Sequence, residues 1–323
     1  MKLFIILQNV STIKKINMKK ISILFLLAIM AFTACNDSTK QAPNQTEITT
    51  DSVKSEIVID SLLKFNESTL PYENGILVAN FGSSEFNPLN TEGKGYILYY
   101  KDGSLSPFIE AQGELSAPKG MFQRDGYLYV ADVNKVVVFN LKNKAEKPIV
   151  IKFPKDELFV NDIAVDGNNM YVSVTNTGNI YQFDLSDVAK LPKATPSLYL
   201  NVTGANGLLI NEGKMYIASY PADGKTTDKN LVYVVEDMAK PVATPFITKA
   251  GQYDGLALSA DKKTMYTTNW GPIELDAINM DTKEISKVEL QTPLAGVADI
   301  SVVDDLIYIP DLAGSKLIIK SLK

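Results

Sequence analysis

The sequence predicts an all-β chain, a six-bladed β-propeller whose ring is closed by an N-terminal strand in the last blade. Three observations predict it. One phrase recurs with aligned starts at Glu67, Lys119, Asn161, Asn206, Asp254 and Ala298, so the gaps are 52, 42, 45, 48 and 44 residues. That is about the size of a four-stranded blade. Each copy alternates apolar and polar residues, as in Tyr127-Leu128-Tyr129-Val130-Ala131 and Met215-Tyr216-Ile217-Ala218; such aromatic and β-branched content suits a pleated, buried strand. No helical periodicity long enough for a core helix occurs outside the N-terminus.

The N-terminus reads as an address. Residues 1–34 fit a secretory signal peptide: Lys19-Lys20, an apolar stretch over 21–33, then Ala34 and Cys35. The apolar stretch is too short to span a bilayer comfortably. Either Met1 or Met18 is compatible with the start. The run Phe32-Thr33-Ala34-Cys35 resembles a bacterial lipobox. That resemblance implies lipidation of Cys35 and anchoring in the cell envelope, at the outer membrane, on its periplasmic or its surface side. Removing residues 1–34 leaves 27 basic and 37 acidic residues, a net charge of −10, which favours solubility and disfavours anionic lipid or nucleic-acid surfaces. Residues 35–56 are polar and aperiodic and read as a flexible tether. Asp37-Ser38-Thr39, Asp51-Ser52-Val53 and Asp60-Ser61-Leu62 resemble the O-glycosylation sites of Bacteroidetes envelope proteins, though Thr39 fits the third place poorly; such tripeptides are also common in polar tethers, and the two readings stand level.

Residues 57–323 carry the propeller. The first copy, ESTLPYENGILVANFG at 67–82, is the most degenerate. The second covers 118–141, the third 161–185, the fourth 206–220 and the fifth 254–270. Turn residues punctuate them: Asp125-Gly126, Gly167-Asn168-Asn169, Glu212-Gly213, Asp261-Lys262-Lys263 and Asp304-Asp305. The last copy begins at Ala298 and the sequence ends at Lys323, room for about three strands. The apolar run Ile57-Val58-Ile59 is therefore expected to supply the outer strand of the same blade.

Composition excludes several chemistries. There is no histidine, so Ser-His-Asp and Cys-His catalysis and His-ligated metal sites are out. Cys35 is the one cysteine, which removes intrachain disulfides, thiol metal sites and CxxC redox pairs. Arg124 is the one arginine, so a bidentate phosphate or nucleic-acid surface is not expected. The expected state is a monomer.

In a propeller the innermost strands line a central channel, so the column of copy starts should form a ring at its mouth. Two carboxylates, two carboxamides and an ammonium would converge there, and facing carboxylates repel unless a cation or a shared proton intervenes. Lys119 would supply such a cation without a metal. Asn206-Gly207 and Asp254-Gly255 equally suit tight turns entering a strand. A second polar column ends the second strands: Asn80, Asp132, Ser219, Asn269 and Asp311. Such residues characteristically cap turns. The loops 82–95 and 221–230 are long and should overhang the same face, where Phe81, Tyr220 and Trp270 would line a pocket or pack as core.

Asn161-Asp162-Ile163-Ala164-Val165-Asp166, Ala205-Asn206-Gly207-Leu208 and Tyr253-Asp254-Gly255-Leu256 resemble the metal-site phrases of the senescence-marker-protein (regucalcin), gluconolactonase and luciferin-regenerating-enzyme family. Pro118-Lys119-Gly120 with Tyr129-Val130-Ala131-Asp132 resembles an NHL repeat. The resemblance covers residues 67–323. It implies a divalent cation at the channel mouth, held by Glu67, Asn206 and Asp254. Asp254 would double as the base that activates water against a lactone, and Asn161 would face substrate. All-oxygen ligation suits calcium, magnesium or manganese better than zinc. The family's sugar-binding arginine is replaced here by Phe159. Two readings follow: an envelope-anchored binding module whose funnel takes a small molecule, glycan or protein through Asn161, Lys119, Tyr220 and Trp270, or a metal-dependent lactonase with Asp254 as general base.

Overall fold

The computed structural model describes residues 56–323. The predicted signal peptide, Cys35 and the tether lie outside the described residues, except Glu56, where the first strand begins. Six four-stranded antiparallel sheets form the six blades of a propeller ring. Their innermost strands are Asn66–Tyr72, Pro118–Arg124, Val160–Asp166, Ala205–Asn211, Tyr253–Leu258 and Ser301–Val303. One short 3-10 helix, Val188–Lys193, is the one helical element among the described residues.

Hairpin chemistry sets the blades' inner turns. Asp125-Gly126 and Glu212-Gly213 have φ of 54° and 82°, and of 53° and 73°. Two successive positive φ values give the turn whose twist matches the flanking strands, and glycine takes the second at no steric cost. The ring closes as predicted. Strand Glu56–Ile59 pairs antiparallel with Lys316–Ser321 and is the outer edge of blade 6. It starts at Glu56, one residue before the expected boundary. Glu56 accepts from the backbone N–H groups of Gln291 and Thr292 at 2.8 and 2.9 Å and pairs with Lys320, tying the strand to blades 5 and 6. Exposed faces on Ile57 and Val58 mark the edge.

Burial occurs between blades. Six apolar clusters sit at the six blade interfaces; Leu77 and Ile97 of blade 1, for example, pack on Leu128 and Val137 of blade 2. A single sheet has two faces to bury, and the radial arrangement covers both. A seventh cluster collects Phe81, Ala117, Val133, Ala298 and Leu312, with Phe65 and Trp270 packed on it. Its members come from blades 1, 2, 5 and 6 at the end where the innermost strands start, so it forms an apolar collar around that mouth.

Candidate functional site

Every innermost strand carries a one-residue register shift at its start, for example between Val160 and Ile163, Ala205 and Leu208, and Tyr253 and Leu256. In blade 6 the bridge Val297–Asp311 followed by the pair Ser301–Tyr308 shows the same extra residue. A bulge turns side chains that strict alternation would send elsewhere. The Asn206-Gly207 and Asp254-Gly255 pairs therefore sit in bulges inside strands rather than in tight turns. The predicted ring forms: Glu67, Lys119, Asn161, Asn206, Asp254 and Ala298 are all buried, none more than 7 % exposed.

A second row lies one residue on: Ser68, Gly120, Asp162, Gly207, Gly255 and Asp299. Asp162 and Asp299 come from opposite blades and complete a cluster of four acids with Glu67 and Asp254. Two glycines make room for them. A Cβ on Gly120 would lie 2.2 Å from Asp162 Oδ1, and one on Gly255 2.6 Å from the Asp299 Cα. Asp162 is held in place: Oδ1 accepts from Ile163 N–H at 2.7 Å and Oδ2 from Leu208 N–H of the next blade at 2.6 Å. Ser68 donates to Asp299 Oδ2 at 3.2 Å. Sequence reasoning quoted Asp162 without a channel role and missed Asp299. The signal was available as the residue after each copy start.

Two side chains from neighbouring strands stitch these bulges together. Ser173 Oγ accepts from Asp162 N–H at 3.0 Å and donates to Asn206 O at 2.6 Å. Thr268 Oγ1 accepts from Gly255 N–H at 2.8 Å and donates to Ala298 O at 2.9 Å.

Electrostatics follows from burial. Burial pushes the Glu67 and Asp299 carboxyls well above the usual carboxylate range, and neighbouring acids push further: Asp254 on Glu67, Asp162 on Asp299. Asp162 is raised to about 7 by burial against the pull of its two backbone bonds. Asp254 is raised to about 7 by burial, opposed by its bond from Trp270 and supported by Asp162. Burial lowers Lys119, while Glu67, Asp132 and Asp254 hold it up.

Lys119 does not neutralise the ring by contact, as the sequence suggested. Its ammonium donates to Pro88 O and Ala117 O, both at 2.9 Å, and no ion pair closes on it among the described residues. The rings of Phe81 and Phe159 flank it at 5.4 and 5.2 Å, within cation–π range. Arg124 bonds Asp125, Gly167 and Asn168 at the opposite end of the strands, far from the ring.

The long loop 82–95 covers the mouth. Phe86 stacks on Trp270 at 6.4 Å and 18° and on Phe81 at 6.5 Å, and meets Phe65 at 5.6 Å. Trp270 donates Nε1–H to Asp254 Oδ2 at 3.0 Å and meets Tyr220 edge-on at 6.3 Å. The predicted grouping of Phe81, Tyr220 and Trp270 is thus present, above Asp254.

The second polar column caps loops, as expected. Asp132 accepts from Ser116 and Ala117 N–H, Asp311 from Ala295 and Gly296, Asn269 from Gln252 and Gly271, and Asn80 from Lys64. Ser219 donates to Thr203 O at 2.5 Å. Blade 3 has Val174 in this column, and Asn176 takes over by accepting from Leu158 and Phe159.

Six buried side-chain oxygens lack a hydrogen-bond partner among the described residues, and three of them are Glu67 Oε2, Asn206 Oδ1 and Asp254 Oδ1. These are the three expected cation ligands. No group of three His, Cys, Asp or Glu side chains gathers in metal-binding geometry among the described residues; this set has two carboxylates and one carboxamide. Buried oxygens with nothing to accept from are costly. Unpartnered oxygens of two carboxylates and a carboxamide are the donor chemistry that calcium, magnesium or manganese prefers.

Residues 118–304 match the SMP-30/gluconolactonase/LRE-like region model. No curated protein matches in sequence. Among solved structures, a gluconolactonase from Xanthomonas campestris superposes with a TM-score of 0.59 at 11% identity, covering 81% of this chain and 87% of that one. A virginiamycin B lyase from Staphylococcus aureus gives 0.55 at 12%, covering 83% and 99%. A protein of unknown function from Bacteroides thetaiotaomicron gives 0.55 at 13%, covering 80% and 70%. At these identities the likeness establishes the fold alone.

Proposed function

The chain belongs to the SMP-30/gluconolactonase/LRE-like family, and from that premise we propose that its channel mouth binds a divalent cation together with a small, oxygen-rich ligand of the sugar or lactone class. The observation that carries this reading is the orphaning of Glu67 Oε2, Asn206 Oδ1 and Asp254 Oδ1 in one buried acidic ring. These three residues would hold calcium, magnesium or manganese. Asn161, Tyr220 and Trp270 would face that ligand, the amide for its hydroxyls and the rings for its apolar faces. The signal-like N-terminus and Cys35 support a tethered position for this activity at the cell envelope. A melt of the full-length protein with chelator, calcium or manganese tests the cation; membrane partitioning of Cys35→Ala tests the anchor.

One observation favours hydrolysis as a second reading. Trp270 fixes one oxygen of Asp254 and leaves the other without a hydrogen bond, so the oxygen that would ligate the cation would also be the one to take a proton from a water beside it. The cation, when bound, would polarise a carbonyl and acidify water. In that reaction a water oxygen bonds the lactone carbonyl carbon and its proton passes to Asp254 Oδ1. The ring C–O bond then breaks and the departing alkoxide takes that proton, giving a hydroxy acid. A panel of sugar lactones assayed against Asp254→Ala tests it: turnover lost in the variant supports hydrolysis, and turnover equal in both removes Asp254 from the chemistry.

A further inference from the structure

We propose that Lys119 receives the carbonyl oxygen of the ligand, and that the Pro88 carbonyl of loop 82–95 holds that place until the ligand enters. The proposal rests on the reading of the mouth as a ligand site. A fully buried ammonium is costly unless carboxylates or dipoles face it. Here two backbone carbonyls do so, and no carboxylate pairs with it among the described residues. Losing either carbonyl would leave the buried ammonium short of an acceptor, so whatever displaces Pro88 O has to accept in its place.

The two carbonyls differ in kind. Ala117 O belongs to blade 2, where the Ala117 N–H is itself bonded to Asp132 at 2.6 Å. Pro88 O belongs to the covering loop. That loop is held over the mouth by the stack of Phe86, which is 38 % exposed, on Trp270 and Phe81, and by the local turn through Asn87 and Asn90. One acceptor is built into the ring; the other is carried by a loop, and only the segment around Phe86 and Pro88, between the anchors at Gly82 and Gly93, would have to lift. Pro88 O is a neutral carbonyl oxygen, the same chemistry as a lactone or lactam carbonyl. The four acids below disfavour an anionic ligand and leave a neutral carbonyl compound as the matching class. If the ligand is hydrolysed, Lys119 stands where negative charge develops on that oxygen.

Trp270 is the one tryptophan of the chain, so its emission reports on Phe86. Full-length, calcium-loaded protein is titrated with glucono-δ-lactam, a hydrolysis-resistant neutral carbonyl ligand, and with 1,5-anhydroglucitol, which lacks the carbonyl. The expected result is a change in Trp270 emission, with the lactam bound about 10- to 100-fold more tightly, the range for one charge-assisted hydrogen bond. Lys119→Met should bind both compounds equally. Phe86→Ala should start at the ligand-bound emission and bind the lactam more tightly, because the loop no longer competes; it also serves if Lys119→Met does not fold. A carbonyl preference retained in Lys119→Met, a Phe86→Ala affinity no better than wild type, or no emission change in wild type overturns the proposal. The calcium-dependent melt, read in parallel, separates the two failures. A melt shift without carbonyl preference removes only the role of Lys119, whereas no melt shift removes the cation site itself.

Discussion

Two buried polar columns encircle the same mouth with nearly the same residue types, and they serve different ends. The second-strand column of Asn80, Asp132, Ser219, Asn269 and Asp311 spends its side chains on loop backbone. The innermost column of Glu67, Asn161, Asn206 and Asp254 is just as buried, yet three of its oxygens accept nothing. Asp311 is the imperfect member of the capping column: Oδ1 takes two N–H groups and Oδ2 takes none. Residue type and depth do not separate scaffold from site here; what sets the innermost column apart is that three of its oxygens are unpartnered against one in the capping column.

The comparison breaks most sharply at Asp132. Asp132→Ala strands the Ser116 and Ala117 N–H groups and the nearby Lys135, and should cost about 3–5 kcal/mol in a denaturant melt. A cost below about 1 kcal/mol would mean that the capping column is not structural. The mirror experiment is Glu67→Gln, which removes a buried acid with an oxygen that no hydrogen bond satisfies. In chelator it should leave stability unchanged or raise it by about 1 kcal/mol, while removing the response to added cation.

The pH response sharpens the contrast. Asp162 titrates near 7 and Asp299 well above the carboxylate range, whereas the unfolded chain releases these protons near 4. The folded state therefore binds more protons between these limits, and stability present below about pH 4 is lost as pH rises towards and past 7. Melts in chelator should fall from pH 5 to pH 8, and Asp162→Asn should flatten the slope. The smallest effect belongs to Arg124. It lies at the opposite end of the strands with exposed partners, so Arg124→Ala should change stability by less than about 0.5 kcal/mol and ligand binding not at all.

Much of the fold was legible because the repeat period and the strand alternation both report local geometry. Even the closure by Ile57-Val58-Ile59 followed from counting strands. The ring itself was legible as the first column of the repeat. Its second row was not, because strict alternation sends Asp162 and Asp299 to the far side of the strand, and only the bulge turns them towards the channel. The partners of Lys119 were equally hidden. A charge count pairs it with Glu67 and Asp254, but its side chain reaches the covering loop instead, a contact set by tertiary packing over a separation that no local pattern encodes.

In the proposed site a divalent cation on Glu67, Asn206 and Asp254 completes the innermost ring. Its most direct test is the melting temperature of full-length wild type, Glu67→Gln and Asn206→Ala, each stripped with chelator and then given calcium or manganese. A rise of several degrees that saturates with cation is expected for wild type, and none for either variant. Equal melting with and without cation in wild type, or the same rise in all three proteins, would contradict it.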